Sequence, residues 1–209
     1  MKLNFKLVCR FILSIPLLFL VACATAPPND VSNLCSIFQE KDGWYGYAED
    51  AAEAWGGDIP TMMAIMHQES RFVAKAKPPR KKILGFIPGF RPSNAYGYSQ
   101  ALTGTWDRYK REAGAYGADR DKFKDAIDFI GWYNRLSMQQ NGIGRTDARA
   151  LYLNYHEGHG GYARGTYKSK AWLVGVADKV ARQASQYRSQ FASCEQALKE
   201  ANRGWFNWF

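Results

Sequence analysis

The chain has 209 residues, of which 46% are hydrophobic and 15% are aromatic. This composition excludes a disordered chain and suits a single domain with a sizeable buried core. The formal net charge of +9 makes polyanions the first partners to consider, among them nucleic acid, anionic lipid and acidic cell-wall peptides.

Residues 1–22 have the pattern of a secretory signal. Three basic residues precede an apolar run at positions 11–22, and this run is too short to span a bilayer. It ends in the sequence LVAC at positions 20–23, which resembles the lipobox of bacterial lipoproteins, whose cysteine is acylated and becomes the new N-terminus. We expect Cys23 to be the membrane anchor. An ordinary signal that is cleaved elsewhere, leaving a free thiol, is the alternative.

A signal of this kind directs the mature protein out of the cytoplasm. Ala24, rather than aspartate, follows Cys23, and in the lipoproteins that it resembles this residue accompanies export to the outer membrane of a Gram-negative cell. We expect an outer-membrane lipoprotein facing the periplasm, with a lipidated N-terminus and tether over residues 23–30 and a domain over residues 31–209. Loss of the three basic signal residues lowers the net charge to +6, and an exported protein rarely meets nucleic acid.

Two cysteines remain for the mature domain. Cys9 leaves with the signal and Cys23 takes the lipid, so Cys35 and Cys194 are left. The periplasm is oxidising, and a bridge between them would close a long loop and stabilise the fold by about 2–4 kcal/mol. We expect a disulfide, with two unrelated buried thiols as the alternative.

Apolar residues at three- and four-residue spacing predict a mainly α fold. Gly56 and Gly57 end the second helix, and Asp58 and Pro60 start the third as its N-cap and first-turn residue. With few segments of strand period, the expected domain is one compact lobe of six or seven helices. The predicted helices cover residues 31–41, 44–55, 105–113, 122–140, 147–155 and 170–200, together with the one that begins at Pro60.

Two segments are expected to be irregular. Residues 75–93 contain four prolines and five basic residues between Lys77 and Arg91, so no regular element is expected there. Residues 156–167 contain four glycines, which also disfavour regular structure. The basic loop either binds acidic peptide stems or is simply solvated, and the C-terminal residues 204–209 are too apolar for a free tail.

The third helix carries a carboxylate on its apolar side. Met62, Ile65 and Met66 form an apolar stripe, and Glu69 falls on the same stripe one turn later. A carboxyl group in apolar surroundings keeps its proton to higher pH, as a general acid requires. The spacing alone also permits a structural glutamate that is capped by a lysine or by backbone amides.

Three segments in order resemble the motifs of the soluble-type lytic transglycosylases. The sequence HQESRF at residues 67–72 looks like the Glu-Ser-x-Phe segment of their catalytic region. AYGYSQ at residues 95–100 is similar to Ala-x-Gly-Leu-Met-Gln, and LNYHEG at residues 153–158 resembles Ala-Ala-Tyr-Asn-Ala-Gly. The chain departs from the family where Tyr98 and its neighbour replace Leu and Met, and where His156 replaces Asn.

The resemblance implies a goose-lysozyme-like helical lobe whose groove binds peptidoglycan glycan strands. Members cleave the β-1,4 bond between N-acetylmuramic acid and N-acetylglucosamine without water. Glu69 would protonate the glycosidic oxygen and then deprotonate the 6-hydroxyl of the muramoyl sugar, which closes a 1,6-anhydro ring. The substrate's acetamido carbonyl would stabilise the cationic centre, so neither a cofactor nor a metal is expected.

Two further sets of residues follow. A two-carboxylate mechanism would need a second acid, for which Glu157, Asp107 and Glu112 are the candidates. Tyr155 matches the family tyrosine whose hydroxyl lies close to the acid, so it is expected to hold Glu69 or the sugar. The alternatives are packing for the tyrosines, an exposed side chain for Gln100 and an ordinary helix-end polar residue for Ser70. The other expected substrate-binding residues are Ser70, Tyr96, Tyr98, Gln100 and His156.

Three alternative hypotheses remain. A goose-type lysozyme would use the same groove but add water. A non-catalytic lipoprotein would keep the groove as a glycan clamp. A metal hydrolase is suggested by His156 and His159, but these lie three apart in a Gly-rich segment, unlike helical zinc motifs, and only His67 is left as a third ligand.

Overall fold

Helices make up most of the computed structural model, which describes residues 26–83 and 87–206. The predictions for the signal, for Cys23 and for residues 207–209 fall outside this part. The mainly α class is confirmed. Within the described residues the helices are α1 (Leu34–Glu40), α2 (Trp44–Trp55), α3 (Ile59–Ser70), α4 (Thr103–Glu112), α5 (Phe123–Asn141), α6 (Ala148–Glu157), α7 (His159–Ala163) and α8 (Ala171–Phe206), with a 3-10 turn at Thr166–Ser169.

Local sequence signals set the start of α3. The Asp58 side chain accepts a hydrogen bond from the backbone N–H of Thr61 at 3.0 Å, and Pro60 occupies the first turn, where a missing N–H costs nothing. Asp58 also forms an ion pair with Arg188 of α8 at 2.7 Å. The same aspartate therefore both starts α3 and fixes it against α8.

Helix α3 lies in the middle of the core. Every residue from Ile59 to Met66 is buried, and α8 packs along α3, α6 and α1 while α2 packs against α5. Such complete burial explains why α3 holds four methionine and isoleucine side chains in its central two turns. Of the helices that the structure describes, none is both long enough and apolar enough to span a membrane.

A disulfide joins the beginning of the described chain to α8. Cys35 in α1 and Cys194 in α8 are bridged across 159 positions of sequence, with their Cα atoms 6.1 Å apart. The Tyr187 hydroxyl of α8 donates to the carbonyl of Val31, and the backbone N–H of Leu34 donates to a side-chain oxygen of α8 at 3.0 Å. The pairing is the one expected from the sequence.

The expectation of two irregular loops is wrong in part. The basic segment contains a short antiparallel hairpin, β1 (Lys82–Ile83) with β2 (Ile87–Pro88). Proline is tolerated there because a two-stranded sheet has only edge strands. The Gly-rich segment holds the end of α6, the whole of α7 and the 3-10 turn, because Gly158 takes a positive φ of 74° and so separates two helices rather than melting them.

Candidate active site

Glu69 lies in the last turn of α3, at the end of its buried stretch. Its side chain is half-buried, and withdrawal from water raises the pKa of this carboxyl to about 7. Among the described residues it has no salt-bridge partner. The alternative of a structural glutamate neutralised by a lysine therefore does not apply, and a carboxyl group with this pKa can both give and take a proton near neutral pH.

Two tyrosines of α6 face this carboxyl. The Tyr152 hydroxyl hydrogen-bonds to Glu69 and opposes the rise of its pKa. Burial, followed by the negative charge of Glu69, raises the pKa of Tyr155 well above its usual value. The Tyr155 hydroxyl donates to the backbone carbonyl of Ser99 at 2.6 Å. Tyr155 thus joins the third sequence motif to the second, while Tyr152 makes the direct hydrogen bond to the acid.

The backbone is strained on both sides of this arrangement. Arg71 and Phe72, directly after α3, have φ values of 51° and 62°, and Gln100 has a φ of 49°. Within the described residues these are the non-glycine residues with positive φ, and all three lie in segments that resemble family motifs. Such conformations cost on the order of 1–3 kcal/mol each and persist where the surroundings fix them, often at functional sites.

The second motif forms a tight turn that needs glycine. Gly97 has a φ of 79°, and a Cβ atom there would come within 2.0 Å of the Arg120 carbonyl oxygen. The side-chain amide of Gln100 donates to the carbonyls of Ala76 and Gly97 at 3.0 and 2.8 Å. Gln100 therefore fixes this turn beside the chain that follows Glu69, and only its side-chain oxygen is left for the expected contact with an acetamido group.

Two predicted contacts are corrected by the structure. The expectation that Tyr98 stacks on a sugar is wrong, because its ring is 1% exposed and packs at right angles to the stacked rings of Trp44 and Phe123, at centroid distances of 5.7 and 5.9 Å. Ser70 is also buried, and its hydroxyl donates to the carbonyl of Met66 one turn earlier in α3, at 3.3 Å. Its expected hydrogen bond to the substrate is not formed from this position.

Tyr96 lies between charged side chains. Its hydroxyl donates to Asp121 at 3.1 Å. Lys77 Nζ and the Arg120 guanidinium each lie 5.3 Å from its ring centroid, within cation–π distance. The ring that was expected to stack on a sugar therefore already contacts two cations.

His156 and Glu157 end helix α6 beside the Gly-rich segment. Glu157 is bound by Lys170 at 2.7 Å and by the Thr166 hydroxyl. These partners lower its carboxyl pKa to about 2. His156 is half-exposed and contacts the same carboxylate at 3.1 Å. Glu157 is therefore an ionised anchor for the segment before α8, which does not suit it to be a second catalytic acid.

The remaining carboxylates and histidines have local partners. Asp107 pairs with Lys110 at 3.1 Å and Glu112 pairs with Arg108 at 2.7 Å, both on the exposed face of α4. The His159 ring stacks on the ring of Tyr133 at 4.4 Å, and the His67 ring stacks on the ring of Phe72 at 5.8 Å. Over residues 26–83 and 87–206, no group of three or more potential ligands is arranged to hold a metal ion.

Comparison with known families decides which enzymes this site resembles. The family model described as "Transglycosylase SLT domain" matches residues 11–194. The chain belongs to this family. Comparisons with curated proteins and with solved structures give no significant match. Membership implies that the SLT domain binds peptidoglycan, and at family level it supports a transglycosylase.

One residue of this SLT domain was missed from the sequence. Tyr152 lies one position before the segment that resembles the third motif, so the resemblance did not include it. A signal was present, because residues three apart on a helix share a face, and Tyr152 is three residues before Tyr155. Because Tyr155 was expected to lie close to Glu69, Tyr152 on the same face of α6 could have been expected there as well.

Proposed function

We propose that the protein is a peptidoglycan lytic transglycosylase with Glu69 as its single catalytic acid and base. The observation that carries this proposal is the half-buried carboxyl group of Glu69, whose pKa is raised to about 7 by burial and which faces two tyrosines rather than a cation. This combination lies within the segment that resembles the family's catalytic motif.

In the first step, protonated Glu69 acts as the general acid. Its proton passes to the oxygen of the β-1,4 bond, the bond from that oxygen to C1 of N-acetylmuramic acid breaks, and N-acetylglucosamine leaves with a free hydroxyl. The carbonyl oxygen of the muramoyl acetamido group stabilises the cationic C1. A second enzyme carboxylate is unnecessary when the substrate supplies this group.

In the second step, ionised Glu69 acts as the base. It takes the proton from the 6-hydroxyl of the same sugar, and the 6-oxygen bonds to C1 to close the 1,6-anhydro ring. Glu69 ends protonated, ready for another cycle. The Tyr152 hydrogen bond supports the ionised form between the two steps, because a donor to the carboxylate stabilises the charge.

We further propose that the enzyme is an outer-membrane lipoprotein anchored through Cys23 in a Gram-negative cell. The lipobox-like sequence supports this, and the family match begins at residue 11 and so includes the apolar run and Cys23. Acyl chains hold a soluble domain at a bilayer because each buried methylene contributes about 0.8 kcal/mol. Incorporation of radiolabelled palmitate into the wild type, and its loss in Cys23→Ser, is the expected result.

The nearest rival is a hydrolase that uses the same groove, and the source of the new oxygen separates the two. Purified sacculi are digested in water enriched in oxygen-18, and the muramoyl ends are weighed by mass spectrometry. We expect 1,6-anhydro ends that carry no label, since water takes no part. Labelled reducing ends as the main product would make the protein a lysozyme-type hydrolase and reject the transglycosylase mechanism.

A further inference from the structure

Trp172, in the first turn of α8, is a large apolar side chain turned toward solvent. Its exposed fraction is 61%, whereas the following residue, Leu173, is completely buried. Its ring contacts the ring of His156, at a centroid distance of 5.3 Å and an interplanar angle of 77°. In an edge-to-face pair one ring points its edge at the face of the other, so the imidazole covers at most one face of the indole.

An ion pair lies close in sequence to both Trp172 and His156. The Glu157 carboxylate accepts two hydrogen bonds from Lys170 Nζ, at 2.7 and 2.8 Å, and its side chain is only 4% exposed. Lys170 is two residues before Trp172, and Glu157 directly follows His156. The pair therefore ties the end of α6 to the start of α8 and sets the indole beside the imidazole.

The same end of α6 carries Tyr155, one of the two tyrosines that face Glu69. His156 directly follows Tyr155, whose pKa responds to the charge of Glu69. The exposed indole of Trp172 packs against His156, and His156 is the residue next to Tyr155 in the chain. The His156–Trp172 pair therefore lies at the same end of α6 as Tyr155, and His156 stands where the family has asparagine.

We propose that Trp172, held by His156, forms a sugar-binding subsite that stacks on a pyranose ring of the glycan strand away from the scissile bond. This inference rests on the proposed function, because it takes the glycan strand as the ligand. One face of a β-linked pyranose presents axial C–H groups, which pack on an aromatic face, while the hydroxyls at the ring edge stay in water. A half-exposed indole meets both requirements.

The subsite makes a defined prediction for turnover. Trp172 touches a sugar that does not react, so its contact contributes equally to the ground state and the transition state, and its loss raises KM without changing kcat. We expect Trp172→Ala to raise KM for purified sacculi by about tenfold, as for the loss of one good aromatic contact. Trp172→Phe should restore most of the affinity, because it returns an aromatic face.

A matched control is Tyr116→Ala. Tyr116 is 74% exposed and lies in the segment between α4 and α5, outside the motif segments, so its removal should leave KM and kcat unchanged. An unchanged KM in Trp172→Ala would overturn the subsite. A fall in kcat with KM unchanged, or failure of Trp172→Phe to rescue, would also overturn it, because either would indicate a structural effect at the end of α6.

Binding without turnover separates this proposal from the proposed function. In the Glu69→Gln background, sedimentation with sacculi should weaken about tenfold when Trp172→Ala is added, and peptide-free oligomers of N-acetylglucosamine should compete for binding. If the wild type releases no anhydro product but this binding difference persists, the enzyme proposal fails and the glycan subsite stands. If the wild type is active but Glu69→Gln binds sacculi equally well with and without Trp172→Ala, only the subsite fails.

Discussion

Replacing Glu69 by glutamine should make the protein more stable, and increasingly so as the pH rises. In the folded state the carboxyl pKa is about 7, against 4.5 for the unfolded chain. The unfolded state therefore releases its proton first, so this group lowers the folding stability as the pH rises from about 4.5 to about 7 and adds no further loss above that. At 1.36 kcal/mol per pKa unit, the loss is about 2–3 kcal/mol once the partial exposure of the side chain is considered.

Glutamine removes this titration and keeps an oxygen that can accept the Tyr152 hydrogen bond. The free energy of unfolding is measured by urea titration of the wild type and Glu69→Gln at intervals between pH 4 and pH 8. We expect the advantage of the variant to grow by about 2–3 kcal/mol across this window and then to level off. Glu112→Gln is the control, because Glu112 is exposed and paired on α4. A stability difference that stays flat between pH 4.5 and pH 7 would refute the raised pKa of Glu69.

Further changes test the surroundings of the acid and the closure of the fold. Tyr152→Phe removes the hydrogen bond that lowers the pKa of Glu69, so the alkaline limb of the kcat/KM profile should move to higher pH; a shift to lower pH would contradict this role. Tyr155→Phe removes a hydrogen bond to a backbone carbonyl and should cost about 0.5–1.5 kcal/mol of stability together with activity, which urea titration and sacculus digestion check; wild-type values for both would reject the role. Replacing Cys35 and Cys194 together by serine opens a loop of 159 positions and should lower the free energy of unfolding by about 2–5 kcal/mol, while reductant should then leave the variant unchanged.

Local signals were sufficient for most of the helical framework. At the start of α3, Asp58 accepts a hydrogen bond from a free backbone N–H and Pro60 has no N–H to satisfy. Both effects involve residues close in sequence, so they can be predicted from it. The Gly-rich segment was predicted to be irregular from its glycine content alone, without regard to where each glycine falls relative to the helices. The Glu157–Lys170 ion pair, between residues 13 positions apart, also holds that segment, and it forms only once α6 and α8 pack together.

The acid itself could be found from the sequence, but several of its surroundings could not. Glu69 followed from one apolar stripe and a matching motif. Tyr98 was misassigned because a matching motif does not say which side of a tight turn faces the core, and its ring turns inward against the stacked rings of Trp44 and Phe123. The exposure of Trp172 depends on how α8 begins against α6, so no local pattern distinguishes it from a core tryptophan.

The role of Glu69 is tested most directly by the release of anhydro-muropeptides from purified sacculi by the wild type and by Glu69→Gln, measured by mass spectrometry under identical conditions near neutral pH. We predict abundant 1,6-anhydro-muramoyl products from the wild type and essentially none from the variant, whose side chain can neither donate nor accept the proton. Equal rates of release from the two proteins would contradict the assignment of Glu69 as the acid and base.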